Sequence, residues 1–469
     1  MLRKKSWASV EKKINSEFGT KNKDFKWFAV KCAVIGLCAF LSIWVAAFVW
    51  VALGLAVVSI LTTWNGRALY YVWFTLPMFN ILSPNRYSFT LFFWVVFVCV
   101  MMLGFLYFVR LQKGRVKFNW WVFVPVVLFL VKSTVVFATS PFDLITVWLG
   151  LPFVCLVWVF RKDLDIKEVV FVFLMGLGFT VFTGAFVNVS PRLFALINHF
   201  ENRFNGGTFN PNVLSYFCVV ALGLVYYLFL KKQIRFLLYP LVALLVAVIL
   251  LSGSKTGAIL MVCLLAMFAV MMFLRDGRGK KTWGSIGLVA GVYVVVMLCL
   301  LNQTAWLFGA RLATDAGTGD MDTFTTYRWS IWAEMFPAVF SSWHGALFGH
   351  GVGGFASTYY AHNMFLQLLY SHGFVGVGLL LWIGFAMIGF TLESHKNFWK
   401  RIDWFSLVAI GALLANGIME SIYTHGYFLL PMVLLCLDFS KDVYYADKSG
   451  DKTTCGGLAQ LGEQLVYTE

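Results

Sequence analysis

The chain has 469 residues, of which 60% are hydrophobic and 13% are charged, and its mean hydropathy is +0.79. This composition excludes a water-soluble fold, because a globular core needs far fewer apolar residues. The formal charge of +15 does not indicate nucleic-acid binding, since 29 of the 37 Lys and Arg residues stand in short clusters that alternate with cation-poor connections. That alternation is the positive-inside pattern of a multi-pass membrane protein. We therefore expect membrane lipid around the chain and no nucleic-acid partner.

Apolar runs long enough to form spanning helices recur along the chain. They lie at 88–109, 119–138, 142–160, 167–187, 211–230, 234–251, 255–274, 283–301, 362–390, 403–421 and 426–440. Before them the pattern is ambiguous: residues 30–63 form one long tilted helix or a tight helical pair, and residues 68–83 form a short span or a re-entrant piece. Because Arg110 is assigned to the cytoplasm, both choices must change together, giving about 12 helices or 14. We favour 12, in an all-α fold.

The basic clusters also divide the chain. The N-terminal segment 1–29 and the tail 441–469 are expected in the cytoplasm, and the transmembrane domain covers residues 30–440. Its two long outward connections are 188–210 and 302–361, where we expect function to reside. The second loop contains a segment, Tyr327 to Phe336, whose sequence predicts a short amphipathic helix lying on the membrane surface.

Eight cations fall outside the cytoplasmic clusters. They are Arg67, Arg86, Lys132, Arg192, Arg203, Lys255, Arg311 and Arg328. Four of these are arginines in the two outer loops, where orientation rules disfavour cations. Their presence indicates an anionic ligand, with simple solvation of a loop arginine as the alternative. Lys255 lies in the LSGSKTG segment at the outer end of two spans, where a charge is costly unless it is solvated, paired or used.

His362 is the best candidate for a general base. It precedes a long span in the sequence AHNMFLQLL, so its imidazole is expected at a rigid helix end that is open to water. The next residue, Asn363, is either a ligand of the substrate or the N-cap of that helix. Glu420, at another outer span end, can orient an arginine or a histidine. The outer loops offer no compact set of metal ligands, so we expect neither a metal nor a cofactor.

Four elements in this order resemble the O-antigen ligase and O-antigen polymerase superfamily. They are RFNGGTFNPNVLSYF from Arg203, SGSKTGAIL from Ser252, TTYRWSIW with FGHGVGGF in the large loop, and HNMFLQLLYSHGFVGVGLLL from His362. The resemblance is detailed over residues 190–390 and extends over the chain in topology. Lys255 stands where the family usually has arginine.

This resemblance implies a GT-C-like inverting glycosyltransferase of the bacterial inner (plasma) membrane, with its active site on the periplasmic face. The implied donor is a glycan on undecaprenyl diphosphate, and the implied acceptor is a sugar hydroxyl of lipid A-core or of another lipid-linked glycan. Arg203, Lys255 and Arg328 would hold the diphosphate and His362 would act as the base. Further substrate contacts would come from Arg311, Asn363 and Glu420.

Three other functions remain open at this point. A repeat-unit polymerase would use the same site as a ligase. A transporter would place its special polar groups near the bilayer midplane, often at broken helices, whereas here they gather at outer span ends. A non-catalytic scaffold would keep the fold and need neither Lys255 nor His362.

Overall fold

The protein is all-helical in the regions that its computed structural model describes. These are residues 23–82, 90–136, 141–186, 204–208, 210–230, 237–276, 328–352 and 361–393, with the single positions 283, 284, 287 and 291. Within them, three helical segments are long and apolar enough to cross a membrane: Phe93–Gln112, Lys167–Gly184 and Met364–Met387. Shorter apolar helices pack around these three. The chain is therefore a helical membrane protein, as its composition predicts.

Thirteen α-helices are described. They are α1 (Lys23–Leu41), α2 (Ala47–Leu61), α3 (Leu69–Thr75), α4 (Thr90–Gln112), α5 (Trp120–Val135), α6 (Pro141–Phe160), α7 (Ile166–Gly184), α8 (Pro211–Leu230), α9 (Leu238–Ser252), α10 (Lys255–Asp276), α11 (Arg328–Val339), α12 (Trp343–Phe348) and α13 (Met364–Glu393). Helices α4 to α10 and α13 match eight predicted segments to within a few residues at each end, which confirms them as helices. Three of the eight contain the segments that are long and apolar enough to cross a membrane. The predicted spans at 403–421 and 426–440 lie outside the described residues, as does nearly all of 283–301.

Helices α4 to α7 run alternately between two ends of the bundle. We call the end that holds Arg110 and Arg161 the basic end, and the other the opposite end. A 3.3 Å contact joins Arg110 to Asp163, which lies in the turn between α6 and α7, so both residues mark the basic end. His362 precedes α13, whose later residues approach the basic end: the Trp158 indole donates to the Met387 carbonyl at 3.3 Å. His362 therefore lies at the opposite end.

The N-terminal region crosses the bundle three times before α4. Helices α1 and α2 form the tight pair that was one of the two alternatives for residues 30–63. At the basic end after α2, the Gly66 backbone N–H bonds to the Asp163 carboxylate at 3.3 Å. The chain then runs along α7 until Ile81 packs beside Gly207 at the opposite end. Three traverses correspond to the 14-span alternative, so our preference for 12 is not supported here.

The third traverse is short because helix α3 continues into a 3₁₀ turn, Leu76–Met78, within one buried stretch from Leu69 to Leu82. A hydropathy window of ordinary span length therefore misses it. Close backbone contact with α7 is permitted by Gly176, where an added Cβ would lie 2.1 Å from the Phe74 carbonyl oxygen. The Thr180 hydroxyl then donates to the Pro77 carbonyl at 2.9 Å.

Arg67 lies at the basic end and is not one of the outward cations. Its guanidinium is 3.8 Å from the Glu168 carboxylate, which also accepts a 3.0 Å hydrogen bond from the Tyr70 hydroxyl. With one traverse before α4, the sequence predicts Arg67 outside the cytoplasmic clusters. Three traverses instead place Arg67 at the same end of the bundle as the clustered cations Arg110 and Arg161.

Candidate functional site

The sequence candidates that the structure describes fall into two groups at the opposite end of the bundle. One group contains His362, Asn363 and Arg328 and is built by α11 and the start of α13. The other contains Lys255 and is built by the corner between α9 and α10. Arg203, Arg311 and Glu420 lie outside the described residues, so their predicted roles stay predictions.

Asn363 is the N-cap of α13. Its side-chain oxygen accepts the Leu366 backbone N–H at 3.0 Å, and its carbonyl accepts the Gln367 N–H at 2.9 Å. This is the structural alternative that the sequence left open for Asn363, and it satisfies one of the N–H groups that a helix start leaves without a partner. A substrate contact at this position would therefore use the side-chain nitrogen.

His362 occupies the left-handed backbone region, with φ = +46°, and is the only described non-glycine residue with positive φ. This conformation costs on the order of 1–3 kcal/mol and persists only where the surroundings impose it. Two hydrogen bonds hold the preceding residue, Ala361, one at its carbonyl and one at its N–H. The Ala361 carbonyl accepts the Trp332 indole N–H at 2.6 Å, and the Ala361 N–H bonds to the Gln367 side-chain oxygen at 3.0 Å. These contacts to Ala361 constrain the backbone at His362.

Arg328 is the first residue of helix α11, which contacts the start of α13. Trp332 follows it by one turn on the same face. Because Trp332 bonds to Ala361, the residue that precedes His362, Arg328 lies one helical turn from the contact between α11 and this segment. The helix predicted from Tyr327 to Phe336 is confirmed as α11 over Arg328–Val339, and its predicted place on the membrane surface stays a prediction.

An aromatic groove opens between α11 and α13, next to Asn363. Its volume is about 470 Å³, and it is lined by Trp329, Trp332, Ala333, Phe336, Asn363, Phe365, Leu366 and Leu369. Three of the lining side chains are about half exposed: Trp329 at 51%, Phe336 at 57% and Phe365 at 48%. The groove therefore presents an apolar surface that includes one candidate polar residue, Asn363, the neighbour of His362 in the chain.

Lys255 begins α10 after a tight corner. Gly253 adopts φ = +61° at the end of α9, and the Ser254 hydroxyl accepts the Gly257 N–H at 3.2 Å as the N-cap of α10. Gly257 itself allows close packing on Ser215 of α8, since an added Cβ would overlap its hydroxyl oxygen. The N-terminus of a helix carries partial positive charge, which is unfavourable for an ammonium. An anion bound here would interact favourably with both, so this location suits a lysine that binds an anionic group.

The segment that follows Arg203 lies against this corner. The Phe204 N–H donates to the Leu251 carbonyl at 3.0 Å, and the Gly207 N–H donates to the Thr180 carbonyl at 2.8 Å. The close approach of Gly206 explains the glycine at 184, where an added Cβ would overlap the Gly206 backbone, and the positive φ of Gly206, +58°, explains the glycine at 206. The segment that follows Arg203 and the segment that begins at Ser252, which are far apart in the sequence, thus lie together in the structure.

Helix α13 has a break that the apolar pattern of its sequence did not predict. Gly373 has φ = +61° and ψ = −175°, so the helix is interrupted nine residues after its first residue, Met364. Three carbonyls around the break accept hydrogen bonds from elsewhere: Tyr370 from the His350 N–H at 2.8 Å, Ser371 from the Gly351 N–H at 3.2 Å, and His372 from the Lys132 ammonium at 2.7 Å. The available signals were the Ser-His-Gly triplet inside an apolar run and the lone lysine at 132.

The chain is 22% identical over 345 residues to a ComP-specific O-oligosaccharyltransferase from Acinetobacter baylyi (strain ATCC 33305 / BD413 / ADP1). The match covers 68% of this chain and 60% of that relative, so the chain spans less than two thirds of the relative's length. No family model matches the sequence. No solved structure matches it either. The comparisons therefore identify a distant homologue that is an oligosaccharyltransferase.

Proposed function

We propose that the protein is a glycosyltransferase of the inner membrane that transfers a glycan from undecaprenyl diphosphate to a hydroxyl group on the outer face. The observation that carries this proposal is a histidine in a constrained conformation, His362, directly before Asn363, which lines an aromatic groove between α13 and α11, the helix that begins at Arg328. The distant oligosaccharyltransferase homologue supports the same reaction class.

The chemistry of the transfer needs a base and a cation. The acceptor hydroxyl attacks the anomeric carbon, the bond from that carbon to the diphosphate oxygen breaks with inversion, and the lipid diphosphate leaves with the bonding electrons. His362 takes the hydroxyl proton, and Arg328 stabilises the charge that develops on the diphosphate. The aromatic groove suits the apolar chain of the donor, since isoprenoid and ring carbons pack without losing hydrogen bonds.

The acceptor that we favour is a sugar of lipid A-core, which makes the protein an O-antigen ligase. A lipid-linked glycan as acceptor would instead make it a repeat-unit polymerase. The relative from A. baylyi is described as specific for ComP, so a protein hydroxyl is a third acceptor class for the test. Incubating the purified protein with one lipid-linked donor and each acceptor in turn separates the three, because only the true acceptor gains the glycan.

A transporter is less well supported than an enzyme. Broken membrane helices in transporters expose unwound carbonyls that coordinate the coupled ion. At the break in α13 the carbonyls of Tyr370, Ser371 and His372 each accept a hydrogen bond from the protein itself. This use of the carbonyls favours a structural role for the break.

The test of the proposed base compares His362→Asn and His362→Gln with wild type. Asparagine tolerates the left-handed conformation better than most residues, so His362→Asn keeps the backbone while removing basicity. We expect both variants to lower kcat by about 10²–10⁴-fold with little change in donor KM. The control is His344→Ala, an exposed histidine on α12, which should stay within twofold of wild type. Turnover of either His362 variant within about threefold of wild type would exclude the base.

The test of the diphosphate contact uses Arg328→Ala and Arg328→Lys. Loss of the guanidinium should reduce kcat/KM for the donor by about 10²-fold, and lysine should recover part of that loss because it keeps the charge without the planar fork. The matched control is Arg115→Ala, which removes an exposed arginine at the basic end. Full activity of Arg328→Ala would remove this residue from donor recognition.

A further inference from the structure

The break at Gly373 turns the first part of α13 into a separate short rod, Met364–His372. A helix that ends leaves its last carbonyls without partners, and in an apolar environment each unsatisfied carbonyl is costly. Here the missing partners come from outside the helix. The segment from Gly349 to Gly351 supplies two N–H groups, and Lys132 of α5 supplies its ammonium to the His372 carbonyl at 2.7 Å.

Close packing makes this arrangement specific. A Cβ added at Gly373 would lie 2.5 Å from the Gly349 nitrogen, and one added at Gly349 would lie 2.4 Å from the Ser371 carbonyl oxygen. The His350 ring stacks on Tyr370 with centroids 4.7 Å apart. The end of the rod is thus enclosed by backbone, by an imidazole and by one cation.

Lys132 is suited to this end of the rod by its charge. An ammonium on an apolar helix is costly unless it is paired, and the C-terminus of a helix carries partial negative charge that a cation stabilises. The groups that face it are the His372 carbonyl, the His372 ring, whose Nδ1 lies 3.4 Å from the Ser133 hydroxyl, and Gly376, where an added Cβ would lie 3.2 Å from Nζ. Gly376 thus leaves room for the ammonium.

The other end of the rod carries the candidate base. The Gln367 side-chain nitrogen donates to the Ser371 hydroxyl at 3.1 Å, and its oxygen accepts the Ala361 N–H at 3.0 Å. Asn363 caps the same rod. A shift of the rod's C-terminus therefore displaces Ala361 and the residue that follows it, His362.

We propose that Lys132 is a positioning residue: by holding the C-terminal carbonyl of the rod Met364–His372, it fixes the place of His362 at the other end. This inference rests on the proposed function of His362. A misplacement of about 1 Å at a reacting group can cost 10²-fold in rate, so a contact three turns away is sufficient to matter.

The experiment measures transfer kinetics for Lys132→Met and Lys132→Arg, alone and combined with His362→Asn. Lys132→Met should lower kcat by about 10–10²-fold with donor KM within about threefold, and Lys132→Arg should recover most of the rate because it restores a cationic donor. In the His362→Asn background, Lys132→Met should change the residual rate by less than twofold, since its effect passes through His362. Lys113→Met, which removes an exposed lysine at the basic end, is the matched control.

Amide hydrogen exchange gives a second readout that needs no turnover. Lys132→Met should raise exchange in residues 364–372 and leave residues 378–387 unchanged. If Lys132→Met accumulates too poorly to measure, Lys132→Gln replaces it, with the same direction of change expected. Wild-type kcat in the lysine variant, or an equal loss in both backgrounds, would overturn the positioning role while leaving an inactive His362→Asn as support for the base. An active His362→Asn would instead overturn the proposed function.

Discussion

Two glycines with the same φ interrupt helices at the opposite end of the bundle, and they differ in how their surroundings satisfy the backbone. At the corner between α9 and α10, Gly253 has φ = +61° and ψ = +24°, and its neighbours Ser252 and Ser254 bond to backbone groups three residues away. At Gly373 in α13, φ is again +61° but ψ is −175°, and the carbonyls are satisfied by residues 350, 351 and 132.

The two sites differ in how far along the chain their hydrogen-bond partners lie. The corner is mainly local: a left-handed glycine and two serine hydroxyls satisfy most of its backbone, and one distant group, the Phe204 N–H, bonds to the Leu251 carbonyl. The break requires α5, α12 and the glycine-rich segment after α12 to be in place first. We therefore expect the corner to tolerate changes elsewhere and the break to depend on the whole assembly.

The largest effect is expected for Gly373→Ala. Its φ and ψ lie in a region that only glycine occupies readily, and the new Cβ would meet backbone atoms of Gly349 and Leu347 at 2.5 Å. Strain and overpacking together should cost more than about 3 kcal/mol and abolish most transfer activity. The control is Gly378→Ala in the same helix, where an added Cβ meets nothing within 4 Å. Thermal unfolding and turnover of the purified variants check this, and equal behaviour of the two variants would contradict it.

A smaller effect is expected for Gly253→Ala at the corner. Its conformation is the ordinary left-handed region, which costs an L-residue about 1–2 kcal/mol. Gly253→Asn should recover part of that loss, because asparagine visits this region more readily. The same rescue should fail for Gly373→Asn, where the neighbouring backbone leaves no space. Unfolding midpoints of the four variants test the contrast, and rescue at both glycines would show that the break is no more demanding than the corner.

The smallest effects on stability are expected for two caps, Ser254→Ala and Asn363→Ala. Each removes one side-chain hydrogen bond at a helix start and should cost about 1 kcal/mol of unfolding free energy. Their effects on transfer should differ, because only Asn363 adjoins the candidate base. We expect Asn363→Ala to lower kcat at least fivefold more than Ser254→Ala. Equal turnover of the two variants would show that the cap of α13 has no particular role in transfer.

Much of the fold was predictable because the solvent of this protein is lipid. Apolar length alone placed α4 to α10 and α13 within a few residues, and the aromatic pattern of α11 predicted a surface helix. The third traverse was one of two alternatives for residues 68–83 and not the favoured one, because its short helix reaches across the bundle only with a 3₁₀ turn and close packing on Gly176. Because three traverses precede α4, Arg67 lies at the basic end.

The candidate site was predictable in its parts. His362, Asn363, Arg328 and Lys255 were singled out because polar residues at the ends of apolar runs are conspicuous. Their connections were not, since the hydrogen bond from Trp332 to Ala361 joins segments 29 residues apart. The positive φ of His362 likewise depends on contacts from α11 and from Gln367, and local sequence carries no sign of either.

The sequence by itself determined that the chain is helical and strongly apolar and where most of its helices begin and end, and it predicted which polar residues have a functional role. These properties follow from transfer free energies and capping preferences, which act residue by residue. Only the tertiary structure decided the number of traverses before α4, the break at Gly373 and the contact of Lys132 with the rod that carries His362. Those features satisfy backbone groups with partners up to 240 residues away, and so they exist only once the helices have packed.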